Sequence, residues 1–362
     1  MRIAYIISTL DQCGPVNVLY GIVSNLCDTN EIAVFTLAAE PDGSRAGDFD
    51  RLVIPVKRVF DGRVQSLIFG RRALHYALKE FSPDVVHAHG FRSTILCRDL
   101  PYRKIATVHN CIYEDYLTTY GAARASWMTR IEVAALRRFD EVVACSESNA
   151  EYLRAEYGLA VSVVRNGVDQ ARFFPLAANP RGELRRKLGI NEDTFALVTT
   201  GGCSEWKRTL PLVKAFTSAL KETGIDAELH IFGEGPDFET CKSLDLPRVY
   251  FHGFVTDVVP WLQVCDMFVS ASASEGMPLA VLEAISCGLP VLLSDIPPHR
   301  EIAEVVENKE YVKLFNASNA GACVEGIVGA LLAIPRRPCD ASSFGAERMA
   351  NKYLRVYEAV CR

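Results

Sequence analysis

Short apolar runs alternate with stretches of helical periodicity along this chain, and the rhythm restarts halfway. Such alternation is the pattern of parallel α/β domains, in which each helix returns the chain to the same end of a sheet. The restart predicts two of them. In the first half the expected strands are 3–7, 32–37, 85–87, 105–109, 142–145 and 161–164. Helices fall between them: Leu19, Ile22, Val23 and Leu26 recur at helical spacing within 16–26, and 123–139 is another. In the second half strands are expected at 195–200, 228–232, 249–252, 267–270 and 291–294, with helices at 208–222 and 320–333. Asn166-Gly167-Val168-Asp169, continuing to Pro175, reads as the linker, and Arg336-Arg337-Pro338 as a second break. Beyond it Met349, Tyr353, Val356, Tyr357 and Val360 describe an amphipathic helix able to cross back onto the first domain. The expected division is 1–168 together with the final helix 345–362, and 169–344.

Composition sets the outer limits. At 362 residues and 49% hydrophobic the chain can fill two cores. A net charge of −5 argues against nucleic acid as the main partner. No apolar run approaches the roughly 20 residues a membrane-spanning helix needs. The stretch from Met1 to Ile7 is too short for a signal peptide and reads as a first strand. The twelve cysteines show no C-x-x-C pair and no Cys/His metal spacing. Several, such as Cys97, Cys145, Cys265 and Cys287, sit in apolar contexts, as reduced core residues of a cytosolic chain would.

The sharpest local feature is Ser274-Glu275-Gly276-Met277-Pro278, running on through Leu279-Ala280-Val281-Leu282-Glu283. A buried strand ends in a Gly/Pro turn that opens a helix. Pro278 suits the first helical position, where a missing N–H loses no partner. Gly276 lets a ligand approach the backbone. Leu279, Val281, Leu282 and Ile285 supply a packed face, and Cys287-Gly288-Leu289-Pro290 stops the helix. The open N–H groups from Met277 to Ala280 and the positive end of the dipole form an anion site. Glu275 outside that end and Glu283 within the helix can each accept hydrogen bonds from a polyol. Together they describe a pocket for phosphate flanked by hydroxyl-rich groups, as in a nucleotide sugar. On spacing alone, a helix capped by Glu275 with Glu283 in solvent fits as well.

Five stretches taken jointly carry a resemblance. Glu275 and Glu283 resemble the E-x7-E motif of retaining family 4 glycosyltransferases of the GT-B fold, the group 1 type. Cys13-Gly14-Pro15-Val16-Asn17 resembles that family's glycine loop after the first strand. Asp84-Val85-Val86-His87-Ala88-His89-Gly90 and Thr107-Val108-His109-Asn110 resemble two strand ends facing the site. Val164-Arg165-Asn166-Gly167-Val168-Asp169, with Phe174-Pro175, looks like the interdomain segment. The resemblance covers nearly the whole chain.

It implies two Rossmann-like domains facing each other across a cleft, completed by domain closure. The N-terminal domain would take the acceptor and the C-terminal domain a nucleotide sugar. Catalysis would fall to Glu275, His109 and Lys207. Lys207, in Gly201-Gly202-Cys203-Ser204-Glu205-Trp206-Lys207-Arg208, would bind the donor diphosphate, with Arg208 beside it. The family usually also places an arginine where this chain has Gly202. Gly276, Met277, Pro278 and Leu279 would contact the donor at the helix start. Glu275 would hold sugar hydroxyls and Glu283 the ribose. Gly233, in Gly233-Glu234-Gly235-Pro236, would line the nucleotide, and Phe254 would lie against the base. Gly14 would approach phosphate or acceptor, and His109 would reach the donor sugar. His87 and His89 lie beside it in sequence pattern, His87 also reading as a buried residue.

By the same resemblance no metal or other cofactor is expected, since Lys207 and the helix dipole do the work of a divalent ion. Asp48-Phe49-Asp50 reads as a chance D-x-D. Uridine diphosphate sugars are the commoner donors among relatives, with guanosine diphosphate mannose the alternative. The acceptor would be a glycan or lipid-linked glycan of surface polysaccharide synthesis, and the expected location the cytoplasm, at the inner face of the membrane. Arg71-Arg72, Arg124 and Arg137-Arg138, with Trp127 and Met128 among them, would let the N-terminal domain rest on an anionic membrane, or would simply form a solvated face. Two other readings stay open. Gly202 supports a degenerate transferase that binds nucleotide sugar as a partner subunit. The Rossmann-like halves alone would allow an oxidoreductase, although no full G-x-G-x-x-G is present.

Overall fold

A computed structural model describes the backbone of residues 1–60, 63–333 and 342–362, and the side chains of 1–60, 70–332 and 343–362. It divides into two compact units, Met1–Gly167 with Ala346–Arg362, and Val168–Gly345. Each is a parallel sheet flanked by helices, so the chain is α/β and doubly Rossmann-like. The break expected at Arg336-Arg337-Pro338 lies outside the described residues.

The first unit holds seven parallel strands: β1 (Arg2–Ile7), β2 (Glu31–Thr36), β3 (Val56–Arg58), β4 (Val85–His89), β5 (Arg103–Val108), β6 (Glu141–Ala144) and β7 (Ser162–Val163). Their order is β3-β2-β1-β4-β5-β6-β7. Helices cover both faces, which is why β1 reads as an unbroken apolar run: Ile3, Ala4, Tyr5 and Ile6 are all fully buried. The final helix Ala346–Cys361 belongs to this unit and packs on the helix Gly14–Leu26. A Cβ on Gly21 would stand 3.1 Å from Met349 Cε, so the glycine sets how closely the two helices approach. Tyr353 and Tyr357 of the final helix are fully buried.

The second unit holds β8 (Phe195–Thr200), β9 (Ala227–Phe232), β10 (Val249–Gly253), β11 (Met267–Ser270), β12 (Val291–Ser294) and β13 (Val312–Phe315), in the order β10-β9-β8-β11-β12-β13. Leu197, Leu229, Ile231, Met267, Val269 and Leu292 build its core with Phe216 and Ile327 from covering helices. A buried ion pair lies beside it. The Asp266 carboxylate, fully enclosed, accepts from Arg185 Nη1 at 3.1 Å, Arg181 Nη2 at 2.6 Å and the Ala196 N–H at 2.8 Å. It ties the helix Ala178–Lys187 to the starts of β8 and β11.

In each unit the strand order reverses beside the first strand, between β1 and β4 and again between β8 and β11. Crevices at the carboxyl ends of strands open at such reversals. The second of them is formed by Gly201-Gly202 after β8 and the 271–278 turn after β11.

Several expectations are adjusted. β3 and β13 were not anticipated. β7 has two residues rather than four, and β5 stops at Val108, leaving His109 just beyond the strand. The helix expected over 123–139 is Ala122–Leu136. Pro278 precedes its helix instead of opening it. Its ψ of 107° is extended, and the helix runs Leu279–Ser286.

Candidate functional site

The site of the second unit is built where three loops leave the carboxyl edge of the sheet. After β8 the Gly201 N–H donates to the Phe232 carbonyl at 2.9 Å, and the Cys203 N–H to the Glu234 carbonyl at 3.0 Å. After β9 the Gly233 N–H donates to the Gly253 carbonyl of β10 at 2.8 Å. The loops are sewn together at van der Waals limits. A Cβ on Gly233, whose φ is 118°, would fall 1.7 Å from the Gly201 carbonyl oxygen. No side chain is tolerated there.

Against these loops lies a cavity walled by Gly201, Gly202, Lys207, Ser270, Ser272, Glu275 and Pro278. Lys207 and Glu275, 68 positions apart in sequence, meet there: Nζ stands 2.5 Å from Oε1. The Lys207 side chain is 32% exposed and that of Glu275 12%, so the pair borders the cavity without being sealed from it. Its backbone is braced from both sides. The Lys207 N–H donates to Ser204 Oγ at 3.3 Å, and the Ala273 N–H donates to the Trp206 carbonyl at 2.9 Å. The 271–278 turn is buried at Gly276, Met277 and Pro278. Beyond it the helix Leu279–Ser286 begins with N–H groups outside its own ladder, next to Pro278 and Ala280 of the cavity wall.

The remaining expected donor residues are spread more widely. Leu279 and Glu283 are half-buried on that helix and stand outside the cavity wall. Phe254 is 53% exposed after β10, its N–H at 3.5 Å from Glu234 Oε1. Arg208 does not line the cavity. It caps the helix Thr209–Thr223 in left-handed backbone (φ 52°), and its Nη2 donates to Ser318 Oγ at 3.2 Å. Gly202 is exposed, and a Cβ there would meet nothing nearer than the Glu234 carbonyl at 3.5 Å, so a side chain fits. Ser270, Ser272 and His299 were not singled out from sequence. The first two follow from strand alternation at the end of β11. Nothing in the pattern of Pro297-Pro298-His299 marks the histidine.

Gly14 and His109 belong to the first unit. Gly14 is exposed and begins the helix Gly14–Leu26. His109 is part of a histidine–tyrosine network at the ends of β4 and β5. His89 Nδ1 lies 3.0 Å from His109 Nε2. His87 Nδ1 lies 2.9 Å from the Tyr357 hydroxyl and its Nε2 2.8 Å from Thr107 Oγ1. Thr107 Oγ1 is 2.9 Å from the Tyr353 hydroxyl, and the Tyr5 and Tyr357 hydroxyls are 3.1 Å apart. The final helix is thereby hydrogen-bonded into the sheet. Asp48 of the D-x-D string is held by Arg45 at 2.6 Å and by Arg51.

Burial drives these histidines toward the neutral form. His87 is lowered to about 3 and His109 to about 4, and His89 lies well below the usual range, with neighbouring histidines adding to the effect on His87 and His89. A histidine that ionises near 6.5 when unfolded but stays neutral when folded gives stability that is complete above 6.5. That stability is lost as pH falls toward the folded value. At pH 5 His87 and His109 each remove about 2 kcal/mol. Glu132 opposes them: burial pushes its carboxyl up to about 7, so its folded form takes a proton first and regains about 2 kcal/mol over the same interval. These three groups together lose about 2 kcal/mol from pH 7 to pH 5, and His89, with His252 (lowered to about 4) and His299 (also lowered) of the second unit, add their shares in the same direction. Urea unfolding at the two pH values measures it; equal stability would show that the network is solvated.

Comparison with known proteins gives a consistent family. Residues 14–172 match the model described as Glycosyltransferase Family 4, and residues 194–332 the model described as Glycosyl transferases group 1. The O-antigen biosynthesis glycosyltransferase WclY of Escherichia coli is 24% identical over 383 aligned positions, covering 100% of this chain and 99% of that protein. The UDP-Gal:alpha-D-GlcNAc-diphosphoundecaprenol alpha-1,3-galactosyltransferase of Escherichia coli is 28% identical, over 62% of this chain and 61% of its own length. Among solved structures, Anabaena Alr3699/HepE in complex with UDP and glucose superposes with a TM-score of 0.80 at 18% identity, covering 99% of this chain and 100% of that one. WaaG, a glycosyltransferase involved in lipopolysaccharide biosynthesis, superposes with a TM-score of 0.72 at 17% identity, covering 99% and 98%.

Proposed function

Because the chain belongs to the glycosyltransferases of GT-B fold, with family models matching both of its halves, we propose that it transfers a sugar with retention from a nucleoside diphosphate sugar to a hydroxyl acceptor. The observation that carries this reading is the Lys207–Glu275 pair at the cavity beside the β8–β11 reversal. A cation and a carboxylate at hydrogen-bond distance can each be exchanged for a ligand group of opposite character. The ammonium turns to the diphosphate and the carboxylate to sugar hydroxyls. Glu283 takes the ribose, Gly276, Met277, Pro278 and Leu279 present the helix start, and Gly233 and Phe254 line the nucleoside. Gly14 of the first unit would approach phosphate or acceptor, and His109 the sugar.

In the proposed step an acceptor oxygen bonds to the anomeric carbon as the bond from that carbon to the β-phosphate oxygen breaks. The departing phosphate oxygen takes the acceptor proton, on the same face of the sugar. Negative charge grows on the diphosphate, where Lys207 and the helix start stabilise it without a metal. A β-linked product from an α-linked donor would overturn the assignment of retention. The donor base is uracil in preference to guanine, in keeping with the UDP in HepE and the UDP-Gal in the name of the E. coli relative. The same relatives point to O-antigen or a related polysaccharide, with a glycan or lipid-linked acceptor; we place the reaction at the cytoplasmic face. No described helix is long and apolar enough to cross a membrane. Peripheral contact would use Trp127, 62% exposed, and the arginines around it.

Thermal-shift measurement with UDP, GDP and their sugars, with chelator present, tests the donor site. A ligand at a hundred times its Kd stabilises by about 2.7 kcal/mol. A shift with one base that Glu283→Ala abolishes is the expected result. A full shift in that variant would remove Glu283 from the site.

Gly202 favours a second reading, a weakened or non-catalytic partner. Its Cβ position is open, so the first atom of an arginine in Gly202→Arg meets only an ordinary contact, the Glu234 carbonyl at 3.5 Å. We expect that variant to bind UDP about tenfold more tightly, the value of one charge-assisted contact. Unchanged affinity would show that this chain has no use for the arginine.

A further inference from the structure

His299 lies in the helix Pro297–Val305, fully buried, and its ring is committed on one side only. Nδ1 stands 2.8 Å from the Ser294 carbonyl oxygen and 3.1 Å from Ser294 Oγ. A carbonyl can only accept, so Nδ1 carries the proton and Nε2 is a bare lone pair. That Nε2 is enclosed and, among the described residues, has no hydrogen-bond partner. Ser294, the last residue of β12, passes the contact on. Its hydroxyl donates to the Ser272 carbonyl at 2.7 Å. Ser272 lines the cavity, and its own Oγ is 3.1 Å from that of Ser270. Three residues later the same turn delivers Glu275. The imidazole also feels both members of the pair at the cavity, Glu275 attracting a proton to it and Lys207 repelling one.

From this chain of contacts we propose that His299 is a positioning residue of the donor site. It holds Ser294, and through it the 270–275 segment, so that Glu275 keeps its place when Lys207 leaves it for the diphosphate. The proposal rests on the donor-site reading above. The tautomer matters as much as the ring. With Nε2 bare, His299 offers no donor to Glu275, and the carboxylate stays available to Lys207 or to a sugar hydroxyl. An imidazolium would instead bring a second positive charge beside Lys207 in a buried place. Burial holds the ring neutral, against the pull of Glu275.

Because Glu275 is assigned to the sugar, the effect falls on the hexosyl part of the donor and not on the nucleotide. The measurement is the ratio of Kd for UDP to Kd for the UDP-hexose that binds most tightly among UDP-glucose, UDP-galactose and UDP-N-acetylglucosamine. His299→Phe, which keeps the volume and removes both nitrogens, is expected to lower that ratio about tenfold with UDP affinity unchanged. His299→Asn places an amide N–H near the position of Nδ1–H and is expected to restore most of the ratio. Ser294→Ala should lower it alone and add little on top of His299→Phe, since the two act in one chain. A ratio within twofold of the parent in His299→Phe overturns the proposal. So does equal loss in the Phe and Asn variants, or a loss of UDP affinity matching that of the UDP-hexose, which marks a general structural role. If the parent protein binds no UDP, the donor-site reading fails first and separately. Circular dichroism and melting of each variant confirm that it is folded; if His299→Phe does not fold, Ser294→Ala decides on the same ratio.

Discussion

Lys207→Ala is expected to slow release of nucleoside diphosphate from the donor by about 10²–10³-fold, the loss seen when one preorganised charge partner of a transition state is removed. Two functions disappear together. On the proposed function the ammonium would no longer neutralise the charge that grows on the leaving diphosphate, and Glu275 would lose the 2.5 Å contact with Lys207. Lys207 is one-third exposed, so the fold should survive and the melting temperature should change little. Lys207→Arg should fall between, because a planar guanidinium keeps the charge but not the point geometry of the ammonium. Steady-state rates at saturating donor decide it. A loss under tenfold would assign the diphosphate to other groups, the start of the helix Leu279–Ser286 first.

Arg185→Met is expected to destabilise the second unit by about 3–5 kcal/mol. Asp266 is fully enclosed, and Arg185, itself almost unexposed, is its principal buried counter-charge. Removing one member of such a pair leaves a charge in a medium that cannot solvate it. Arg181 remains at 2.6 Å but is partly exposed and replaces only part of the interaction. Arg185 also donates to the carbonyls of Asn191 and Thr194, which lose that contact, and to Val264, whose carbonyl keeps Arg181 at 2.6 Å. A unit of this size should melt roughly 10 °C lower. In a Trp127→Phe background the tryptophan emission arises from Trp206 and Trp261, both in the second unit, and reports its unfolding alone. A change below about 1 kcal/mol would mean that water reaches Asp266.

The strands read at their observed limits are buried on both faces, with continuous apolar runs, whereas the edge strand β7 was read at twice its length. β11 and β12 are examples of the former. β3 and β13 were invisible for the opposite reason. They lie at sheet edges, are three and four residues long, and carry charged or exposed positions such as Arg58 and Lys313. The 274–283 unit was legible because a turn, a proline and a helix stop are local signals. Its partner was not. That Glu275 meets Lys207 depends on β8 and β11 being neighbours, and adjacency of strands far apart in sequence has no local signature. Pro278 was misplaced by one position because a proline suits both the last extended residue and the first helical one; its ψ decides, and ψ is not written in the residue type. His87 read as a weaker site candidate than His109, and also as a buried residue. It proves to be the centre of a network whose other members, Tyr353 and Tyr357, come from the far end of the chain. Their helical spacing was apparent, but not the hydroxyls' destination.

The final helix has a consequence for the order in which this protein can be completed. Residues 168–345 form one continuous compact unit, whereas the first unit takes its last sixteen-residue helix from the end of the chain. During synthesis the first sheet therefore emerges early but lacks Tyr353, Tyr357 and Met349, leaving His87, Thr107 and the Gly21 face without the groups that close over them. The second unit, made later, can finish earlier. The half that is translated first is the last to reach its native state, because its closing helix is made only after the whole of the second unit.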